Sequence, residues 1–308
     1  MASYAILGTG AVGGYYGGLL QKAGREVRFL VRGDFAHVRA NGLRIDSPKG
    51  NFVLAKVDAY NASEKMPPCD VAVVAWKSTE NRSLADALPK VLKPGGTVVV
   101  LQNGLDPERD AAAVLPGSPI LSGLCFLCSR KAGPGWIQHL DYGAVTLARY
   151  SPQGAQGITA EMKTIGEDLQ AAGVEVRLHE DWRAARWRKL VWNIPFNGMC
   201  ALLERDTAQL LREPSTRAQI SAMIDEVMAG AAACGCPLPA DFRDRMLKDT
   251  DRMAPYEPSM KLDRDAGRAM ELEAIYARPL EAIVKAGGRA PLIEALHMRL
   301  REVEKSRG

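Results

Sequence analysis

Ala5-Ile6-Leu7-Gly8-Thr9-Gly10-Ala11-Val12-Gly13 decides the fold. A short apolar run that reads as a buried strand passes into G-x-G-x-x-G, and residues 12–23, stopped by Gly24, read as a helix. Residues 26–31 supply a second strand, which completes a βαβ unit. In that setting the glycines have separate jobs. Gly8 permits the tight turn, Gly10 lets a pyrophosphate approach the backbone, and Gly13 lets the helix lie close on the strand. The helix start adds unpaired N–H groups that suit an anion. Gly8, Thr9, Gly10, Ala11, Val12 and Gly13 are therefore the candidate dinucleotide-binding residues. A glycine turn without a ligand, or the first loop of an S-adenosylmethionine methyltransferase, would fit the bare pattern too.

The end of the second strand chooses between cofactors. A site built for NAD places Asp or Glu about 20 residues beyond the glycines, against the ribose 2′-hydroxyl. Val31-Arg32-Gly33 stands there instead. A guanidinium pairs well with a phosphate, so the expected cofactor is NADP(H), with Arg32 on the 2′-phosphate. A solvated surface arginine is the plainer alternative.

Outward from this unit, short β-branched runs keep alternating with amphipathic ones. Residues 43–46 and 52–57 flank Ser47-Pro48-Lys49-Gly50-Asn51 and read as a hairpin. Residues 71–75 give a strand, 79–92 a helix, and Lys93-Pro94-Gly95-Gly96 turns into a buried strand over 97–101, with Gln102-Asn103-Gly104 at its end. Strands follow over 120–126, 136–139 and 144–148, the last two read as a meander around Asp141-Tyr142-Gly143, and then a helix over 158–172 and a strand over 174–178. This alternation predicts an α/β domain over residues 1–179, with a Rossmann-type, doubly wound, mostly parallel sheet. From Glu180 strand signals vanish and helical periodicity runs on, broken at Pro214, residues 235–239, residues 255–258 and Gly287-Gly288, which predicts an all-α domain over 180–308 and a cleft between the two.

Composition narrows the function. With 308 residues, the chain has room for two cores at about 150 residues per domain. Hydrophobic residues at 47% and charged residues at 25% describe an ordinary globular protein and not a disordered one. A formal charge of +4 is too mild for a polyanion, so no nucleic-acid partner is expected. Cys125 and Cys128 form a lone C-x-x-C, and Cys234 and Cys236 a lone C-x-C, without a second pair at zinc spacing; reduced thiols and no metal follow. His37, His139, His179 and His297 fit no nucleophile or metal pattern. The opening Met1-Ala2-Ser3-Tyr4 does not read as a leader, and no run reaches the about 18 apolar residues of a membrane span, so a cytoplasmic protein without a membrane partner is expected. Apolar helix faces in the second half suit either a monomer or a homodimer.

Polar residues in the helical half are ambiguous by themselves. In Lys189-Leu190-Val191-Trp192-Asn193-Ile194-Pro195-Phe196-Asn197, the residues Lys189, Asn193 and Asn197 recur at i, i+4 and i+8 and share one helix face, with a kink expected at Pro195. A solvated face is built the same way. Ser259-Met260-Lys261-Leu262-Asp263 reads as a helix cap, and Arg268-Ala269-Met270-Glu271-Leu272-Glu273 as a charged helix.

In order along the chain, the glycine motif with Arg32, Gln102-Asn103-Gly104, the K-L-x-x-N-x-x-x-N run from Lys189 and the S-M-x-x-D…G-R…E segment from Ser259 to Glu271 resemble the ketopantoate reductase family (2-dehydropantoate 2-reductases). The resemblance covers almost the whole chain. It implies NADPH-dependent reduction of a 2-oxo acid, ketopantoate in the first place, to the 2-hydroxy acid in pantothenate biosynthesis. It further implies Lys189 as the general acid and Glu271 as its partner, with Asn193, Asn197 and Ser259 on the substrate. Asn103 would stand between nicotinamide ribose and substrate, and Lys77 near both. The chain departs from the family pattern at Tyr256-Glu257-Pro258, where an acid is unwelcome beside a substrate anion, and also at Tyr276-Ala277-Arg278, Glu80 and Pro195. These departures leave a different branched 2-oxo acid open as substrate, and a non-catalytic NADPH-sensing module is the alternative from another class.

Overall fold

The computed structural model describes residues 1–306. The chain divides into two compact units: residues 1–102 with 107–182, and residues 103–106 with the chain from Arg183 onward. The division thus falls just beyond the 179/180 expected from the sequence, and the short segment after the 97–101 strand leaves the first unit for the second.

The first unit is built on a sheet of ten strands. In chain order these are β1 (Ser3–Leu7), β2 (Glu26–Leu30), β3 (Leu43–Asp46), β4 (Phe52–Leu54), β5 (Asp58–Tyr60), β6 (Cys69–Val74), β7 (Leu92–Val100), β8 (Ile120–Gly133), β9 (Trp136–Arg149) and β10 (Val176–His179). The order across the sheet is β4-β3-β9-β8-β7-β6-β1-β2-β5, with β10 on β9. β1 is buried at every position and lies between parallel neighbours, Ile6 opposite Phe29 on β2 and Val73 on β6. A strand covered on both faces needs no polar side, which is why it reads as a continuous apolar run. The expected hairpin is present, β3 against β4, and β8 against β9 is a second antiparallel pair.

The meander expected within 136–148 is corrected. Residues 136–149 form one strand along β8, and the turn-forming residues become a bulge: Phe126 faces Ala144 while Leu127 faces Tyr142. Tyr142 and Gly143 carry φ of 62° and 112°, so the positive-φ residues that signal a turn absorb an extra residue in a long ribbon instead. The helix expected over 79–92 opens as a 3₁₀ turn, Ser78–Ser83, before the α-helix Leu84–Val91.

Among its described residues the second unit is made of helices and the loops that join them, without a strand. The helix Trp182–Trp192 runs into a π-helical segment, Asn193–Asn197, and on into the helix Gly198–Leu203. Pro195 lacks an N–H and cannot close the α-helical ladder, and the chain widens locally to keep going. A second π segment, Glu273–Ala277, precedes the helix Arg278–Lys285. Trp187, Ile194, Phe196, Ile224, Tyr276 and Ile293 meet in this unit's core. Segment 103–106 is tied to that second π segment: Leu105 N–H donates to Ala274 O at 2.8 Å and Arg278 Nη1 to Asp106 O at 2.7 Å.

Candidate active site

In the first unit the glycine motif crosses from β1 to the helix Ala11–Lys22. Gly8 has φ of 100°, and a Cβ there would stand 2.6 Å from Trp76 N. A Cβ on Gly13 would meet Gly8 O at 2.1 Å. Gly10 differs, because nothing lies within 4 Å of where its Cβ would be. The motif therefore joins two tight backbone contacts to one open space at the start of a helix that no side chain caps. That is the shape a pyrophosphate needs, and these residues fit a dinucleotide.

The space belongs to a cavity of about 170 Å³ lined by Gly8, Thr9, Gly10, Arg32, Asp34, Trp76 and Lys131, among others. Thr9 is buried and donates from Oγ1 to Leu30 O at 3.2 Å, which ties the loop to β2. Ala11 and Val12 begin the helix, and neither they nor Gly13 line the cavity. Arg32 lines its wall; its Nη1 pairs with Glu80 Oε2 at 2.5 Å and its Nη2 donates to Ser83 Oγ at 3.3 Å. Lys77 is half-buried just before the 3₁₀ turn and does not line the cavity.

Three lining residues escaped the sequence reading. The guanidinium of Arg32 stands 5.4 Å from the ring of Trp76, and that tryptophan is fixed from behind: Gln102 Nε2 donates to Trp76 O at 3.1 Å and to Asn81 Oδ1 at 2.6 Å. Asp34 pairs with Lys131 at 2.8 Å and accepts from Gly135 N–H at 2.8 Å. Burial pushes the Asp34 carboxyl up, but the Lys131 ammonium and the Gly135 amide outweigh it and hold it below its ordinary value. Asp34 lies two residues from Arg32 and could have been noticed. Lys131 arrives from β8, and nothing local marks it.

In the second unit the polar stripe is buried. Lys189, Asn193 and Asn197 are 8%, 4% and 3% exposed, which removes the solvated-face alternative. Lys189 Nζ donates to Asn103 Oδ1 at 2.9 Å, so two motifs far apart in sequence meet. Among the described residues Asn193 Nδ2 has no hydrogen-bond partner. The two π segments are joined, with Tyr276 OH donating to Ile194 O at 2.8 Å. A departure from the family pattern thus anchors the irregular turn that Pro195 imposes.

Glu271 is 2% exposed and precedes the second π segment, so the charged helix expected over 268–273 is not formed. The chain leaves the helix Ser259–Asp265 at Ala266-Gly267, and Arg268 folds back on Asp263 at 3.1 Å. Ser259 opens that helix, half-buried, and the helix packs against the first π segment. The acid at Glu257 is accounted for: Lys261 Nζ pairs with Glu257 Oε1 and Asp265 Oδ2, each at 2.6 Å. Its neighbour Tyr256 lies 6.2 Å from the ring of Trp192, which stacks on Phe196 at 5.1 Å.

Residues 4–152 match the family described as Ketopantoate reductase PanE/ApbA, and residues 181–304 match its C-terminal counterpart. The chain belongs to the ketopantoate reductase family. It is 47% identical over 299 residues to a 2-dehydropantoate 2-reductase of Nostoc sp., covering 97% of this chain and 94% of that relative. The crystal structure of 2-dehydropantoate 2-reductase from Geobacter metallireducens superposes with a TM-score of 0.93 at 36% identity, covering 97% of this chain and 99% of that one. The ternary structure of D-mandelate dehydrogenase with NADH and anilino(oxo)acetate has the same fold, with a TM-score of 0.90 at 21% identity. As a member of the ketopantoate reductase family, the chain is an oxidoreductase that works with a nicotinamide dinucleotide on a small 2-oxo acid.

Proposed function

We propose that this protein reduces 2-dehydropantoate (ketopantoate) to pantoate with NADPH, with the first unit holding the dinucleotide and the second the 2-oxo acid. The observation that carries the reading is the buried Lys189 with its ammonium on Asn103. A lysine taken out of water costs free energy unless it is hydrogen-bonded, and an amide oxygen satisfies one N–H without taking the proton. Asn103 therefore helps to hold the Lys189 amino group in place.

The dinucleotide, when bound, supplies the hydride to the 2-oxo carbon. Gly8, Gly10 and the helix start would hold its phosphates, and Arg32 the 2′-phosphate. Lys189 stabilises the oxygen as negative charge develops on it and then donates the proton that makes the hydroxyl. Asn193, whose buried amide group has a donor to spare, takes a substrate oxygen, and Asn197 and Ser259 complete the polar lining for the carboxylate. Glu271, buried beside the start of the π segment that Tyr276 ties to Ile194, orients the substrate hydroxyl.

A bulkier 2-oxo acid is the second reading, favoured by the aromatic row Tyr256, Trp192 and Phe196 on the elements that carry Ser259 and the asparagines. The test is the loss of NADPH absorbance with ketopantoate beside NADH and a panel of branched and aromatic 2-oxo acids. Fast NADPH turnover of ketopantoate supports the first reading, turnover only of another 2-oxo acid the second, and binding without turnover of any substrate would leave a sensing module.

A further inference from the structure

Arg32, the residue that selects NADPH in the reading above, is not a bare cation. Its Nη1 lies 2.5 Å from Glu80 Oε2. The second cation on the cavity wall is in the same condition, with Lys131 held by Asp34 at 2.8 Å. Each lining cation thus carries a carboxylate already, and a doubly charged 2′-phosphate arriving at Arg32 meets Glu80 where its own oxygens must go. Either Glu80 gives up the guanidinium or two like charges stay side by side, and both weaken binding. A ribose 2′-hydroxyl has the opposite relation to the same residue, because it can donate to a carboxylate.

We infer that Glu80 is a cofactor-selectivity residue, a carboxylate that competes with the 2′-phosphate for Arg32 and so tempers the preference for NADPH over NADH. The inference rests on the proposed role of Arg32. The pair is open to water, with Arg32 54% and Glu80 35% exposed, so a phosphate can displace the carboxylate and the competition is graded. Asp34 cannot play the same part as directly, since Lys131 and the Gly135 amide already occupy its carboxylate.

The experiment is calorimetric titration of the full chain with 2′,5′-ADP and with ADP, fragments that differ by the 2′-phosphate and take no part in hydride transfer. The wild type is compared with Glu80→Gln and Arg32→Ala. In Glu80→Gln, 2′,5′-ADP should bind about tenfold tighter, a modest figure because solvent and salt screen an exposed pair, while ADP changes less than about twofold. NADPH over NADH selectivity in turnover should rise by the same factor. Unchanged or weaker 2′,5′-ADP binding in Glu80→Gln, with Arg32→Ala still losing 2′,5′-ADP selectively, would overturn the inference and make Glu80 a prop for Arg32. Equal loss of both fragments in Arg32→Ala would instead remove the phosphate-binding role of Arg32 and the inference with it.

Discussion

The proposed dinucleotide cradle and the lysine region are built from opposite materials. From Gly8 to Gly13 the first unit works through absent side chains: two positions where a Cβ would strike backbone and one where it would enter empty space. In the second unit Lys189, Asn193, Asn197 and Glu271 work through polar atoms carried into an apolar interior. The difference predicts how each breaks. A cradle made of backbone fails by steric change and takes the fold with it, whereas a side-chain site can lose its chemistry while the fold stands.

The largest effect should come from Lys189→Ala. A positioned acid contributes roughly 10²–10⁴ in rate, which is about 3–5 kcal/mol of barrier. Turnover should fall by that factor, while NADPH binding measured by fluorescence titration stays within about twofold, because the cradle belongs to the first unit. Undiminished turnover would take Lys189 out of the mechanism. Gly13→Ala should do the reverse. Its Cβ would come within 2.1 Å of Gly8 O, so the helix must move off β1, at about 1–3 kcal/mol of stability. A lower melting temperature and NADPH affinity reduced by more than about tenfold are expected together. A stable variant with normal affinity would mean that the cradle is not set by this close packing.

The same contrast explains what could be read in advance. The βαβ unit, the hairpin β3–β4 and Arg32 on the cavity wall are local consequences of glycine spacing, alternation and turn residues, and all were legible. Lys131 and Trp76 were not, because they reach the cavity through sheet order and a hydrogen-bonded brace from Gln102. In the second unit, spacing alone could not tell a buried stripe from a solvated one; only the ordered resemblance did. The π segments stayed hidden because Pro195 predicts a kink but not its form, and the hydroxyl that bonds this turn comes from Tyr276, far along the chain.

The weight of that hydrogen bond can be probed with Tyr276→Phe. Losing the hydroxyl leaves Ile194 O with the Gly198 amide as its donor, at about 1 kcal/mol. The melting temperature should drop by a few degrees, and kcat should fall severalfold with NADPH affinity unchanged, since the segment that relaxes carries Asn193 and Asn197. Loss of stability with kcat unchanged would confine Tyr276 to packing.

The smallest effect isolates a surface contact at the start of β1. Asp70 accepts from Lys93 Nζ at 2.8 Å and from both Ser3 N–H, at 2.9 Å, and Ser3 Oγ, at 2.7 Å. Lys93 first, then the Ser3 amide and hydroxyl, hold its carboxyl well below the usual carboxylate range. A depressed carboxylate lends stability that is fully present above its unfolded value, about 3.9, and is lost as pH falls from there through the folded value. The side chain is 43% exposed, so solvent screening limits the contribution to about 0.5–1 kcal/mol. Asp70→Asn should therefore melt slightly lower at pH 7, and the gap to the wild type in scanning calorimetry should start to narrow below about pH 4 and go on narrowing as the pH falls further. A gap that stays constant across that range would mean that the loss comes from shape and not from charge.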